Sequence, residues 1–130
     1  MKSGMNKRWT DESLSLGWTG IPTTLFFLQS DKKISSTAFN VLLNLILHWW
    51  DVNEWPHPSM ESLAARIGVT TRTIQRALNE LEKAQLIDKK PTLKSNPKYK
   101  GRNIYDLTKL VEYLTIKGPS ISQQIRKKSF

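Results

Sequence analysis

Ser59-Met-Glu-Ser-Leu-Ala-Ala-Arg-Ile-Gly-Val-Thr-Thr-Arg-Thr-Ile-Gln-Arg-Ala-Leu-Asn-Glu-Leu-Glu-Lys-Ala-Gln-Leu-Ile87 holds two apolar stripes separated by a single glycine. Ser59 has the side chain of an N-cap, and Leu63, Ala64 and Ile67 recur at helical spacing behind it. Gly68 ends that helix, because glycine takes positive φ without a side-chain penalty and so suits a tight turn between two packed helices. After Val69, Thr70 or Thr71 caps a second helix reaching Ala84, with Ile74, Ala77, Leu78 and Leu81 facing inward. Thr71, Arg72, Gln75, Arg76 and Asn79 are then left outward. These are hydrogen-bonding side chains rather than the Glu/Lys mixture of an ordinary solvated face. An α-helix fits the B-form major groove, where guanidinium pairs with guanine and glutamine or asparagine with adenine. Thr70 and Thr71, at the positively polarised helix start, suit a phosphate. The competing use of Arg76 is an ion pair with Glu80 four residues on, worth a few tenths of a kcal/mol.

Residues 86–93 and 102–107 carry strand-forming side chains, with Tyr105 and Leu107 on one parity, and predict a β-hairpin that closes the helical core. The turn-rich loop between them, residues 94–101, contains Pro97 and Gly101. Lys89, Lys90, Lys94, Lys98, Lys100 and Arg102 set six cations in this region against the single Asp88. Lysines so placed gain Coulomb energy from a phosphate backbone and release counterions without reading sequence. Arg102 is the candidate for a deeper minor-groove or bidentate phosphate contact.

The quoted stretch resembles the helix-turn-helix and following strand of bacterial winged-helix DNA-binding domains, above all those of plasmid and phage replication proteins and related transcriptional regulators. Leu63, Ala64, Gly68, Val69, Thr73, Arg76, Leu78, Leu81, Leu86 and Ile87 stand where that pattern expects them. Gln85 departs from it, since glycine is usual before the Leu-Ile pair. The resemblance covers residues 34–110. It implies a mainly α fold with a small β-hairpin and a recognition helix in the major groove beside a basic wing. The function it implies is sequence-specific binding of double-stranded DNA, in replication initiation or transcriptional regulation, with replication or transcription proteins as further partners.

Upstream, Ser35 or Ser36 caps a helix expected to run to about Trp50. Ala38, Val41, Leu42, Leu45, Ile46 and Trp49 form its stripe, while Phe39, Leu43 and Trp50 line a second side. Residues 16–29 read as an additional N-terminal packed segment, extended or a short helix, and residues 1–15 as a flexible arm. Pro56 and Pro58 mark the connection after the long helix. Thr108 caps a final short helix over residues 109–114, and the chain is expected to turn polar beyond Gly118-Pro119, ending in Arg126-Lys127-Lys128. The organisation expected is an arm over 1–15, a winged-helix domain over 16–116 and a basic tail or linker over 117–130.

With 130 residues, 38% of them apolar, the chain supports one domain with a core and tails rather than separate catalytic and binding domains. The absence of cysteine removes disulfides, thiolate metal sites and cysteine nucleophiles. His48 and His57 lack the partners of a zinc set, His48 reading as a helix-face histidine with an ordinary hydrogen bond, and no nucleophile elbow or glycine-rich phosphate loop occurs. No enzyme activity, metal or cofactor is expected. The net charge of +9 is concentrated in one half: residues 1–57 hold five basic and five acidic side chains, and residues 58–130 hold fifteen and six. That asymmetry favours a polyanion near the C-terminal half, nucleic acid ahead of membrane. No transmembrane span or secretory segment is read, so a cytoplasmic location is expected. A two-fold DNA site would call for a homodimer, though no heptad series fixes one. The reading from another class is a protein-interaction adaptor on the winged-helix scaffold, docking through the Trp-rich N-terminal part.

Overall fold

Ser35 starts the helix on which the other elements assemble: its hydroxyl accepts from the Ala38 amide at 3.1 Å, and α3 runs Ser36–Leu47. The computed structural model describes the backbone of residues 5–127 and the side chains of residues 7–123, so the side chains of Arg126, Lys127 and Lys128 and the first residues of the arm lie outside the described ones. Ala38, Phe39, Val41, Leu42 and Leu45 are buried along α3. The helix stops three residues short of Trp50. The His48 and Trp49 amides tighten the chain onto the Leu45 and Ile46 carbonyls, three residues back, and Trp50 is left 81% exposed instead of lining a packed side.

Before α3 lie α1 (Met5–Arg8), a 3-10 helix (Thr23–Phe27) and α2 (Leu28–Lys32). Leu25 and Leu28 are the fully buried anchors of this additional segment. After α3 come α4 (Met60–Ile67), capped by the Ser59 hydroxyl on the Ser62 amide, and α5 (Thr71–Lys83), capped by the Thr70 hydroxyl on the Thr73 amide. Gly68 takes φ 82°, and the Gly68 and Val69 amides both return to the Ala64 carbonyl. This turn sets α5 against both α3 and α4, with Ile74, Ala77, Leu78 and Leu81 in the core.

The helix α5 ends in the same left-handed fashion but without glycine. Gln85 has φ 62°, its amide donates to the Glu82 carbonyl, and the next amide, that of Leu86, reaches Leu81. Both bonds belong to the six-residue closure that ends many helices. Leu86 and Ile87 then descend fully buried into the antiparallel hairpin of β1 (Asp88–Lys90) and β2 (Ile104–Asp106), in which Lys89 stands opposite Tyr105. Tyr105 and Leu107 are fully buried, as their shared parity predicts. Two amides point away from the ladder. That of Tyr105 donates to the Pro56 carbonyl at 2.9 Å, and that of Lys89 donates to Glu82 Oε2 at 2.9 Å. The extended residues 56–58 thus flank β2, and the prolines, lacking N–H, offer β2 no donor in return.

Two expectations about the C-terminal helix are corrected. The amide of Thr108 is accepted by Asp106 Oδ1 at 2.9 Å, so Thr108 is the first helical residue rather than the cap. And α6 runs Thr108–Lys127, passing through Gly118 and Pro119 instead of ending near Leu114. Neighbours explain the extension: the Tyr113 hydroxyl donates to Asp31, Lys117 lies 3.8 Å from the same carboxylate, and Gly118 sits beside Thr24. Packing against the N-terminal segment offsets the one donor that Pro119 removes. The fold is mainly α with one small antiparallel hairpin and an extra N-terminal segment, the winged helix-turn-helix arrangement.

Candidate nucleic-acid interface

Burial of the Ile74, Ala77, Leu78 and Leu81 stripe turns Thr71, Arg72, Gln75, Arg76 and Asn79 into solvent. The side chains of Thr71, Arg72, Gln75 and Arg76 make no hydrogen bond or ion pair with any described residue. The expected competitor for Arg76 is engaged elsewhere: Glu80 accepts from the Ser35 amide at 2.6 Å and the Ser35 hydroxyl at 2.8 Å, tying α5 to the start of α3. No Arg76–Glu80 pair forms. Thr70 spends its hydroxyl on the helix start, 3.1 Å from that of Thr73. Asn79 Oδ1 accepts from Lys89 Nζ, which links the far end of the helix face to the hairpin.

The loop joining β1 to β2 is folded by its own side chains. Asn96 Oδ1 accepts from the amides of Lys98 and Tyr99, both at 2.9 Å. Arg102 donates from Nε to the Tyr99 carbonyl and from Nη2 to the Lys98 carbonyl, again at 2.9 Å, and its own carbonyl accepts from the Thr92 hydroxyl. The chain reverses at Lys100 and Gly101 with φ 53° and 83°, and a Cβ on Gly101 would stand 3.1 Å from Lys94 Cγ and 3.4 Å from its Cα, so glycine permits the crossing. An outside anchor holds the loop against the α3–α4 connection: Lys98 Nζ lies 2.9 Å from Glu54 Oε1, and the Tyr99 ring meets His57 edge-on at 5.0 Å. The hydrogen bond and charge of Lys98 hold the Glu54 carboxyl below its usual range, and Glu54 raises the Lys98 ammonium.

The six cations of the wing therefore divide. Lys89 is shared between Asn79 and Glu82, Lys90 lies 2.9 Å from Asp106, Lys98 is on Glu54, and Arg102 is half-buried on backbone carbonyls. Lys94 and Lys100 are exposed with no described partner. With Arg72 and Arg76 they are cations of the candidate interface whose side chains have no described partner. The anchoring acids Glu54 and Glu82 were missed by sequence reasoning, being distant in sequence or on a helix flank with no periodic signal. The Lys90–Asp106 pair was findable, since the hairpin register makes the two residues diagonal neighbours.

A further cluster, also missed, joins α3 to α4. Arg66 donates from Nε to Asn44 Oδ1 at 2.6 Å and from Nη2 to His48 Nε2 at 2.7 Å. Burial, then the Arg66 charge and then His57 hold the His48 imidazole below its ordinary pKa. His57 Nε2 lies 3.2 Å from Glu54 Oε1. Among the described residues no group of three or more His, Cys, Asp or Glu side chains could hold a metal ion, and no helix is long and apolar enough to cross a membrane.

Residues 32–87 match the protein family described as "Helix-turn-helix domain". The match spans α3, α4, α5 and the turn into the hairpin, and it supports DNA binding in general terms. No curated protein matches the chain. Among solved structures the chain is similar to that of the transcriptional regulator PA3341, at 21% identity and a TM-score of 0.49, covering 95% of this chain and 78% of that one.

Proposed function

We propose that the protein binds double-stranded DNA in a sequence-dependent way, with α5 entering the major groove and the wing lying along the flanking phosphates. One observation carries this reading: the outward face of α5 keeps the side chains of Arg72, Gln75 and Arg76 exposed and without a partner among the described residues, while the nearest acid on that face, Glu80, is drawn off to Ser35. Guanidinium and carboxamide groups held on a rigid helix match the donor and acceptor edges of guanine and adenine. Thr71 and Asn79 flank this set, and Thr70 presents the helix start to a phosphate. Lys94 and Lys100 supply the sequence-independent attraction, with Lys89, Lys90, Lys98 and Arg102 shaping the wing and adding field. The protein performs no covalent chemistry in this role. A two-fold target would be bound by two copies, one recognition helix per half-site.

Selection of bound duplexes from a random pool, followed by footprinting at fixed salt, tests this. A defined motif is expected, and Arg72→Ala and Arg76→Ala should each relax one position of it at a cost of about 1–3 kcal/mol. An enriched pool without a motif, or a motif indifferent to both substitutions, overturns the groove assignment. The biological output is control of transcription or initiation of plasmid or phage replication. Sites overlapping a promoter mark the first, and repeated origin-like sites mark the second.

A further inference from the structure

A cavity of about 480 Å³ opens between the N-terminal segment, the end of α3 and the first turns of α6. Trp18, Ile46, Trp49, Trp50, Leu110 and Leu114 are among the residues of its wall, and among the described residues no charged side chain lines it. At its rim Leu16, Trp18, Trp50 and Val111 remain 102%, 62%, 81% and 43% exposed. The Trp18 ring leans over Gly20, where a Cβ would stand 3.0 Å from Trp18 Cζ3, a tight contact with the edge of an exposed ring.

From this geometry we infer that the cavity is a binding site for a small, uncharged, aromatic molecule. Its volume falls in the range of pockets that enclose such ligands. A charged ligand would leave its water for a wall with no counter-ion, so the lining selects against charge. Indole faces and edges offer the offset-stacked and edge-on contacts that aromatic rings favour. DNA is not the occupant, because the N-terminal half that contributes most of the wall has no net charge. A second copy of the chain would have to bury about 800 Å² per partner around this opening. A ring system covers the exposed Leu16, Trp18, Trp50 and Val111 by sinking into the cavity, without that requirement.

The probe is N-phenyl-1-naphthylamine, a neutral fluorophore whose emission rises in apolar surroundings, titrated into the full chain. A saturable rise at one probe per chain is expected, with quenching of tryptophan emission. Trp18→Ala, which removes an indole from the wall, and Val111→Glu, which puts a charge at the mouth, should each weaken binding about ten-fold or more while leaving circular dichroism unchanged. A rise that does not saturate, or equal affinity in both folded variants, overturns the assignment. So does sedimentation that shows a dimer abolished by Val111→Glu, for then a second copy covers the cavity.

Discussion

A guanidinium only donates hydrogen bonds, so the 2.7 Å contact from Arg66 Nη2 requires His48 Nε2 to keep its lone pair. Protonation of His48 breaks that contact, and the folded imidazole titrates below its ordinary value of 6.5, through burial first and the Arg66 charge second. As pH falls, the unfolded chain takes up this proton before the folded chain does. The associated stability is therefore fully present above about pH 6.5 and is lost as pH falls through the lowered folded value. The melting temperature should drop between about pH 7.5 and about pH 5, and the drop should be smaller in His48→Gln; equal drops in the two proteins would locate the acid sensitivity elsewhere. Glu80 gives a second residue-scale outcome. Glu80→Ala removes both hydrogen bonds to Ser35 and should cost about 1–2 kcal/mol in urea unfolding. Adding Ser35→Ala should then cost less than it does alone, since both changes sever one link.

At the scale of elements, the local code was well written in the chain. The cap Ser59, the left-handed Gly68, the inward stripe of α5 and the parity of Tyr105 and Leu107 all rest on neighbours within four residues and were legible, and the caps Ser35 and Thr70 were legible to within one residue, each against its neighbour Ser36 or Thr71. Helix ends decided by distant contacts were not. The span of α6 past Pro119 depends on Asp31 and Thr24, far away in sequence, and the early stop of α3 leaves Trp50 beside a cavity that periodicity cannot foresee. Gln85 lies between the two cases: the residue looked out of place before the Leu-Ile pair, and its φ of 62° is where a side chain costs about 1 kcal/mol. Its Oε1 accepts from Lys109 at 3.0 Å, a partly exposed contact that recovers little. Gln85→Gly should raise stability by about 0.5–1 kcal/mol, read as a higher urea midpoint at unchanged slope.

Over the whole molecule, charge is sorted rather than spread. The C-terminal half carries the entire excess, yet within the wing only Lys94 and Lys100 lack a described partner. A list of cations could be read from sequence; their division into bound and unbound could not, because it depends on Glu54, Glu82 and Asp106 reaching them through the fold. Duplex affinity should accordingly fall steeply with salt. The double change Lys94→Ala, Lys100→Ala should reduce the slope of log affinity against log salt by about two. Lys90→Ala should change it less, its charge being already answered by Asp106.

The hairpin has one more consequence. On one flank the Tyr105 amide is taken by a carbonyl of a segment with proline at 56 and 58, and on the other the Lys89 amide is taken by a carboxylate. A strand arriving from a neighbouring molecule finds neither donor vacant. Crowded along a duplex, such molecules can stand shoulder to shoulder without knitting their hairpins into a fibre.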